Sequence, residues 1–220
     1  MPYTIIRSKR RSLGLYINPS GEVSVRAPML YPKFLIEKFV KEHQNWITKR
    51  LSRISTQQVE KKTFTQGEYY LFLGKKFMLN LVPEQTFPLL LDDFEFTLLE
   101  KKQANAAKVF ENWYKLQAQI KFTSRLNFWA TQQHIKYKYM KVTSAQKRWG
   151  SCSRDGRICL TWRLIMAPLE VIDYVIVHEL THILVPNHSA KFWGKVDEIY
   201  PTFKLQRKWL RENGYSLHLT

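Results

Sequence analysis

The chain has 220 residues, 45% of them apolar and 14% aromatic, a composition that supports a folded core and excludes a disordered tail. Its 35 Lys and Arg against 18 Asp and Glu give a formal charge of +17, which attracts polyanions and says nothing about fold. No apolar run is long enough to span a membrane, the N-terminal residues lack an apolar signal core, and two cysteines cannot staple a secreted scaffold, so a reducing cytoplasmic setting is expected.

Residues 1–100 read as a β-rich module with one helix. Leu15 and Ile17, then Val23 and Val25, alternate at period two on either side of Asn18-Pro19-Ser20-Gly21, the pattern of a hairpin with a longer loop. Pro32 opens a helical pattern with Phe34, Leu35, Phe39, Trp46, Ile47, Leu51 and Ile54 as its apolar stripe. Strand-like segments follow at 69–73, 76–82 and 94–98, punctuated by Gly67, Gly74, Pro83 and Pro88.

Residues 101–220 read as a second domain. A long helical pattern covers 104–134, with Val109, Phe110, Trp113, Leu116, Ile120, Leu126 and Phe128 as expected core contacts. A strand at 139–144 precedes a hairpin, 147–153 and 157–163, turning at Ser153-Arg154-Asp155-Gly156. Pro168 suits the first turn of a helix running to about Leu184, which Val185-Pro186-Asn187 breaks. Ser189 is a candidate N-cap for a helix carrying Phe192, Trp193, Val196, Ile199 and Tyr200, and Gly214 stops a last helix over 205–213.

The helix that starts at Pro168 contains His178-Glu179-Leu180-Thr181-His182, an H-E-x-x-H motif. Positions four apart lie one above the other on a helix, so both imidazoles aim at a common point and make half of a tetrahedral zinc site. Glu179 sits one step round the helix, too close in sequence to chelate beside them, and is placed to take a proton from a water. A catalytic site needs a third ligand and an open fourth position. His188, just past the helix break, is one candidate; Glu198 on the following helix is the other. Cys152 and Cys159 are expected to be small packing residues, and His43, His134 and His218 have no partner at ligand spacing.

The run Arg148-Trp149-Gly150-Ser151-Cys152-Ser153, then 157–164, Pro168, 174–182, Asn187-His188-Ser189 and Phe192-Trp193 resembles the YgjP-like metallopeptidase family, a relative of the SprT-like and WLM-type zincins. The resemblance is close over about 138–214 and loose before it. It implies an α+β, zincin-like metallopeptidase domain with an active-site helix and an edge-strand hairpin, with His178, His182 and His188 on zinc and Glu179 as general base. Thr161 stands where many relatives carry Asn. The metzincin pattern fails, because Val185 replaces its glycine and no Met follows His188.

An edge strand beside a cleft pairs with an extended peptide through backbone hydrogen bonds, and the hairpin directly before the active-site helix is placed to do so. Arg148, Tyr174 and Tyr200 are the candidates for stabilising a developing oxyanion. Between Asn112 and Leu169 there are 11 Lys and Arg but one acid, Asp155, interleaved with Trp113, Tyr114, Phe128, Trp129, Tyr137, Tyr139 and Trp149. That segment is either a solvated face over core aromatics or a surface for nucleic acid. A peptide or protein is thus the expected substrate. Hydrolysis of nucleotides or phosphate esters at the same metal is the alternative, although no phosphate-cradling glycine loop supports it, and a nucleic-acid-associated zinc protein is the other.

Overall fold

Period-two alternation in the first 30 residues does become a sheet in the computed structural model, which describes residues 2–18, 21–56 and 62–219. Its strands are β1 (Thr4–Ser8), β2 (Gly14–Ile17) and β3 (Val23–Pro28). The expected hairpin is present: β2 pairs antiparallel with β3, with Leu15 opposite Val25 and Ile17 opposite Val23. Pro19 and Ser20 of the expected turn lie outside the described residues, and the Asn18 carboxamide oxygen beside them accepts the Glu22 amide at 2.8 Å. Strand β1, which periodicity did not separate, lies parallel to β3 and completes the order β1-β3-β2.

The single helix expected after Pro32 is two, α1 (Lys33–Glu42) and α2 (Gln44–Thr56), parted at His43, whose Nδ1 donates to the Phe39 carbonyl at 2.8 Å. The buried positions are Ile36 and Ile47, while Phe34 and Trp46 of the expected stripe face solvent. The Ile54 side chain lies outside the described residues. Val25, Ala27 and Ile36 form a small core of their own.

The chain divides into compact units at Glu60/Lys61, not near residue 100. The strands β4 (Tyr69–Phe72), β5 (Lys75–Val82), β6 (Leu89–Leu91) and β7 (Glu95–Leu99) form a sheet of order β4-β5-β7-β6 that belongs to the second unit. The cause is aromatic packing on helix α3 (Ala106–Gln132). Phe110 stacks on Tyr70 at 4.3 Å and meets Phe96 at 5.2 Å, and the Tyr114 hydroxyl donates to the Leu71 carbonyl at 2.6 Å. Helix α3 buries Phe110, Tyr114, Ala118, Phe122, Leu126 and Ala130, a row with four-residue spacing. Leu116, Ile120 and Phe128, expected in the core, lie off this row and are exposed.

After α3 comes a three-stranded sheet of β8 (Tyr139–Thr143), β9 (Gly150–Cys152) and β10 (Arg157–Thr161) in the order β8-β10-β9. The expected hairpin is the antiparallel pair β9/β10, and β9 is a sheet edge. Thr161 ties down the loop before it. Its hydroxyl donates to the Ala145 carbonyl at 2.8 Å and its amide to the Trp149 carbonyl at 2.9 Å.

After a 3₁₀ segment, Pro168 takes the N-cap of α4 (Leu169–Leu184), followed by α5 (Ala190–Ile199) and α6 (Phe203–Asn213). Two interactions fix α4. Arg125 of α3 makes a bidentate pair with the buried Asp173, both bonds 2.6 Å. The turn between β4 and β5 docks beneath the helix start, with the Leu73 and Gly74 amides donating to the Ile165 and Met166 carbonyls. Gly74 has φ +79° and a Cβ there would stand 2.9 Å from the Pro168 Cα, so only glycine fits. Among the described residues no helix is long and apolar enough to cross a membrane.

Candidate metal centre

His178 and His182 project from one face of α4, as four-residue spacing requires, with ring centroids 4.9 Å apart. The helix stops because Val185 adopts an extended conformation, and the short return that follows brings the His188 ring to 5.0 Å from His178 and 4.6 Å from His182. One nitrogen from each ring lies within 4.8 Å of the others. The Nε2 atoms of His178 and His188 are 3.0 Å apart. Phe192 of α5 is fully buried against all three rings, and Trp193 stacks on His188 at 5.7 Å. Glu198, the alternative third ligand, is instead exposed and paired with Lys195 at 2.7 Å.

The rings are electrostatically prepared for a cation. Burial pushes His178 down to about 3, and the neighbouring His182, His188 and Arg207 add to the effect. His182 is lowered by burial and then by His188, against hydrogen bonds to the Val185 and Pro186 backbone. Both imidazoles are therefore neutral at pH 7, the form that offers a lone pair to a metal. Two ligands on a tetrahedral ion with bonds of ~2.0–2.1 Å stand ~3.3 Å apart. The 3.0 Å spacing of the two Nε2 atoms is close to that, and also suits a hydrogen bond between one protonated and one bare nitrogen. Three converging imidazoles thus fit zinc as a donor set. One feature is unusual: the other nitrogen of His178, Nδ1, is buried without a hydrogen-bond partner, so packing by Phe192, Trp193 and Tyr174 holds this ring.

Glu179 lies against β9. It is 5% exposed, and burial raises its carboxyl to about 8, with the charge of Arg148 pulling in the opposite direction. The strand passes so close that a Cβ on Gly150 would stand 2.5 Å from Oε1 of Glu179 and 2.7 Å from its Cγ. Burial and then the nearby Glu179 raise the Cys152 thiol to about 11, so it stays protonated and makes a poor ligand.

The other candidates separate cleanly. The Tyr200 hydroxyl donates to the Glu170 carbonyl at the far end of α4, away from the histidines. Tyr174, one turn before His178, meets that ring edge-on at 6.0 Å. Arg207 of α6 belongs to no sequence motif, yet its guanidinium lies 4.5 Å from the centre of the Trp193 ring, beside the three histidines. Its only signal in the sequence is the run of cations Lys204, Arg207, Lys208 and Arg211. In the basic segment of 112–169, Tyr114 is buried, Trp113 and Trp129 pack on the core, and Arg125 covers Phe128 at 4.6 Å.

A family model for the YgjP-like metallopeptidase domain matches residues 11–213. Among solved structures, a crystal structure of a Wss1 mutant from Saccharomyces cerevisiae is similar at 22% identity with a TM-score of 0.35, over 42% of this chain and 80% of that one. No curated protein matches the sequence.

Proposed function

The chain belongs to the YgjP-like metallopeptidase family, and from that premise we propose that it is a zinc-dependent peptidase in which His178, His182 and His188 hold the metal and Glu179 is the general base. The observation that supports this most is the convergence of three imidazole nitrogens within 4.8 Å, next in sequence to the buried carboxyl group of Glu179. When bound, zinc supplies Lewis acidity: it polarises a carbonyl and acidifies water.

The protein's own residues do the rest. Glu179 takes a proton from the attacking water and delivers it to the leaving amine. Its position is held by the backbone of Gly150 on one side and the body of α4 on the other. The edge strand β9 offers its backbone to an extended peptide, so that affinity comes from main-chain hydrogen bonds and the cleaved bond is drawn past the centre. Tyr174, which meets the His178 ring, and Arg148, whose charge acts on Glu179, are the donors for negative charge developing on the carbonyl oxygen. Two free cysteines are in keeping with a reducing, cytoplasmic setting.

A panel of peptides and nucleoside triphosphates incubated with one preparation tests the assignment. Peptide cleavage that stops with a chelator and returns with zinc is expected. Triphosphate hydrolysis without peptide cleavage would replace the proposal with phosphohydrolase chemistry at the same metal.

A further inference from the structure

Helix α6 carries Lys204, Arg207, Lys208 and Arg211 at the spacing of a single helix face, all exposed. Its one acid, Glu212, lies 3.9 Å from Arg211. Among the described residues no carboxylate pairs with Arg207, although the helix borders the candidate metal centre. Phe203, at the start of α6, stacks on Tyr174 at 6.3 Å and on Trp193 at 5.6 Å, and so seats the helix against the part of α4 that carries His178.

Arg207 is the member of this row turned toward the centre. Its guanidinium is held over Trp193, and the Trp193 ring stacks in turn on His188. A guanidinium lying on an aromatic ring has lost much of its conformational freedom but keeps its hydrogen-bonding edge, which matches a carboxylate with two parallel bonds. Its charge already acts on the Tyr174 hydroxyl and the His178 imidazole. The arrangement is a preorganised, unpaired cation at the rim of a peptidase site.

We infer that Arg207 is a specificity-determining residue that receives a carboxylate of the bound peptide, so that the enzyme prefers acidic substrates. The inference rests on the peptidase assignment above. A peptide fits better than a single-stranded nucleic acid, because non-specific strand binding needs open aromatic faces for the bases. Here Trp193 is already packed by Phe203, His188 and Arg207. The carboxylate comes from an Asp or Glu side chain or from the peptide C-terminus, and both use the same fork.

The test compares peptides of one sequence carrying Asp or Glu, or Asn or Gln, beside the cut, each with a free or an amidated C-terminus. Wild type, Arg207→Gln and Arg207→Lys are assayed for kcat and KM separately. Peptide Kd is measured by fluorescence anisotropy on the Glu179→Gln background with and without Arg207→Gln. Wild type should favour the peptide that carries the recognised carboxylate, in its side chain or at its free C-terminus, over the uncharged counterpart by about tenfold, chiefly in KM and Kd. Arg207→Gln should bring the ratio between charged and uncharged counterparts near one, and Arg207→Lys should retain part of it. Sensitivity to amidation assigns the carboxylate to the C-terminus; insensitivity assigns it to the side chain. Equal handling by wild type of acidic and neutral peptides and of free and amidated C-termini, or a preference that survives Arg207→Gln, overturns the inference while leaving peptide cleavage intact. So does Arg207→Gln weakening a single-stranded oligonucleotide but not the acidic peptide. Should no peptide be cut, the peptidase assignment fails, and the anisotropy series still decides the role of Arg207.

Discussion

Replacing Glu179 by Gln is expected to lower peptide turnover by about 10²–10⁴-fold while leaving fold and metal content unchanged. The substitution keeps the shape of the side chain and removes its ability to accept a proton. It also removes an acid from a site where the carboxylate form is disfavoured by burial, as the shift of Glu179 to about 8 records. The melting temperature should therefore hold or rise as activity falls, the opposition expected where a site is kept for function at a cost in stability. Calorimetry and peptide kinetics on the same sample check both halves. A Gln variant that retains full turnover would mean the proton goes elsewhere.

Gly150→Ala is expected to cost about 10²-fold in kcat/KM with a much smaller loss of stability. The added methyl would meet Oε1, Cγ and Cδ of Glu179 at 2.5–2.8 Å. Those are atoms of a side chain and can give way where backbone could not. The strain is thus relieved by displacing the carboxylate, and a misplacement of about 1 Å at a reacting group is enough for a loss of this size. Metal binding should survive, since the three atoms nearest the new methyl all belong to Glu179. Wild-type activity in the Gly150→Ala protein would show that the position of Glu179 does not limit the reaction.

The H-E-x-x-H helix was legible because its information is local: Pro168 marks its start, the 3.6-residue period stacks His178 over His182, and Val185-Pro186-Asn187 ends it. The return of His188 and the β9/β10 hairpin are likewise short-range. What escaped depends on contacts between distant segments. An alternating strand such as 95–99 announces a buried face without saying what covers it, so the assignment of β4–β7 to the first module missed Phe96 packing on Phe110. Parallel pairing of β1 with β3 and of β8 with β10 is invisible for the same reason. The break at His43 has no Pro or Gly to mark it. At the centre, Gly150 reads as one residue of a hairpin strand until Glu179 is seen against it, and Arg207 reads as one surface cation among several until Trp193 is seen beneath it.

Metal analysis of protein purified without added zinc, in wild type and in His188→Ala, tests the central claim most directly. One zinc per chain in wild type and a large loss in His188→Ala are predicted, because two imidazoles on a helix make only half of a tetrahedral site. Full zinc content in His188→Ala, or none in wild type at saturating zinc, would contradict it.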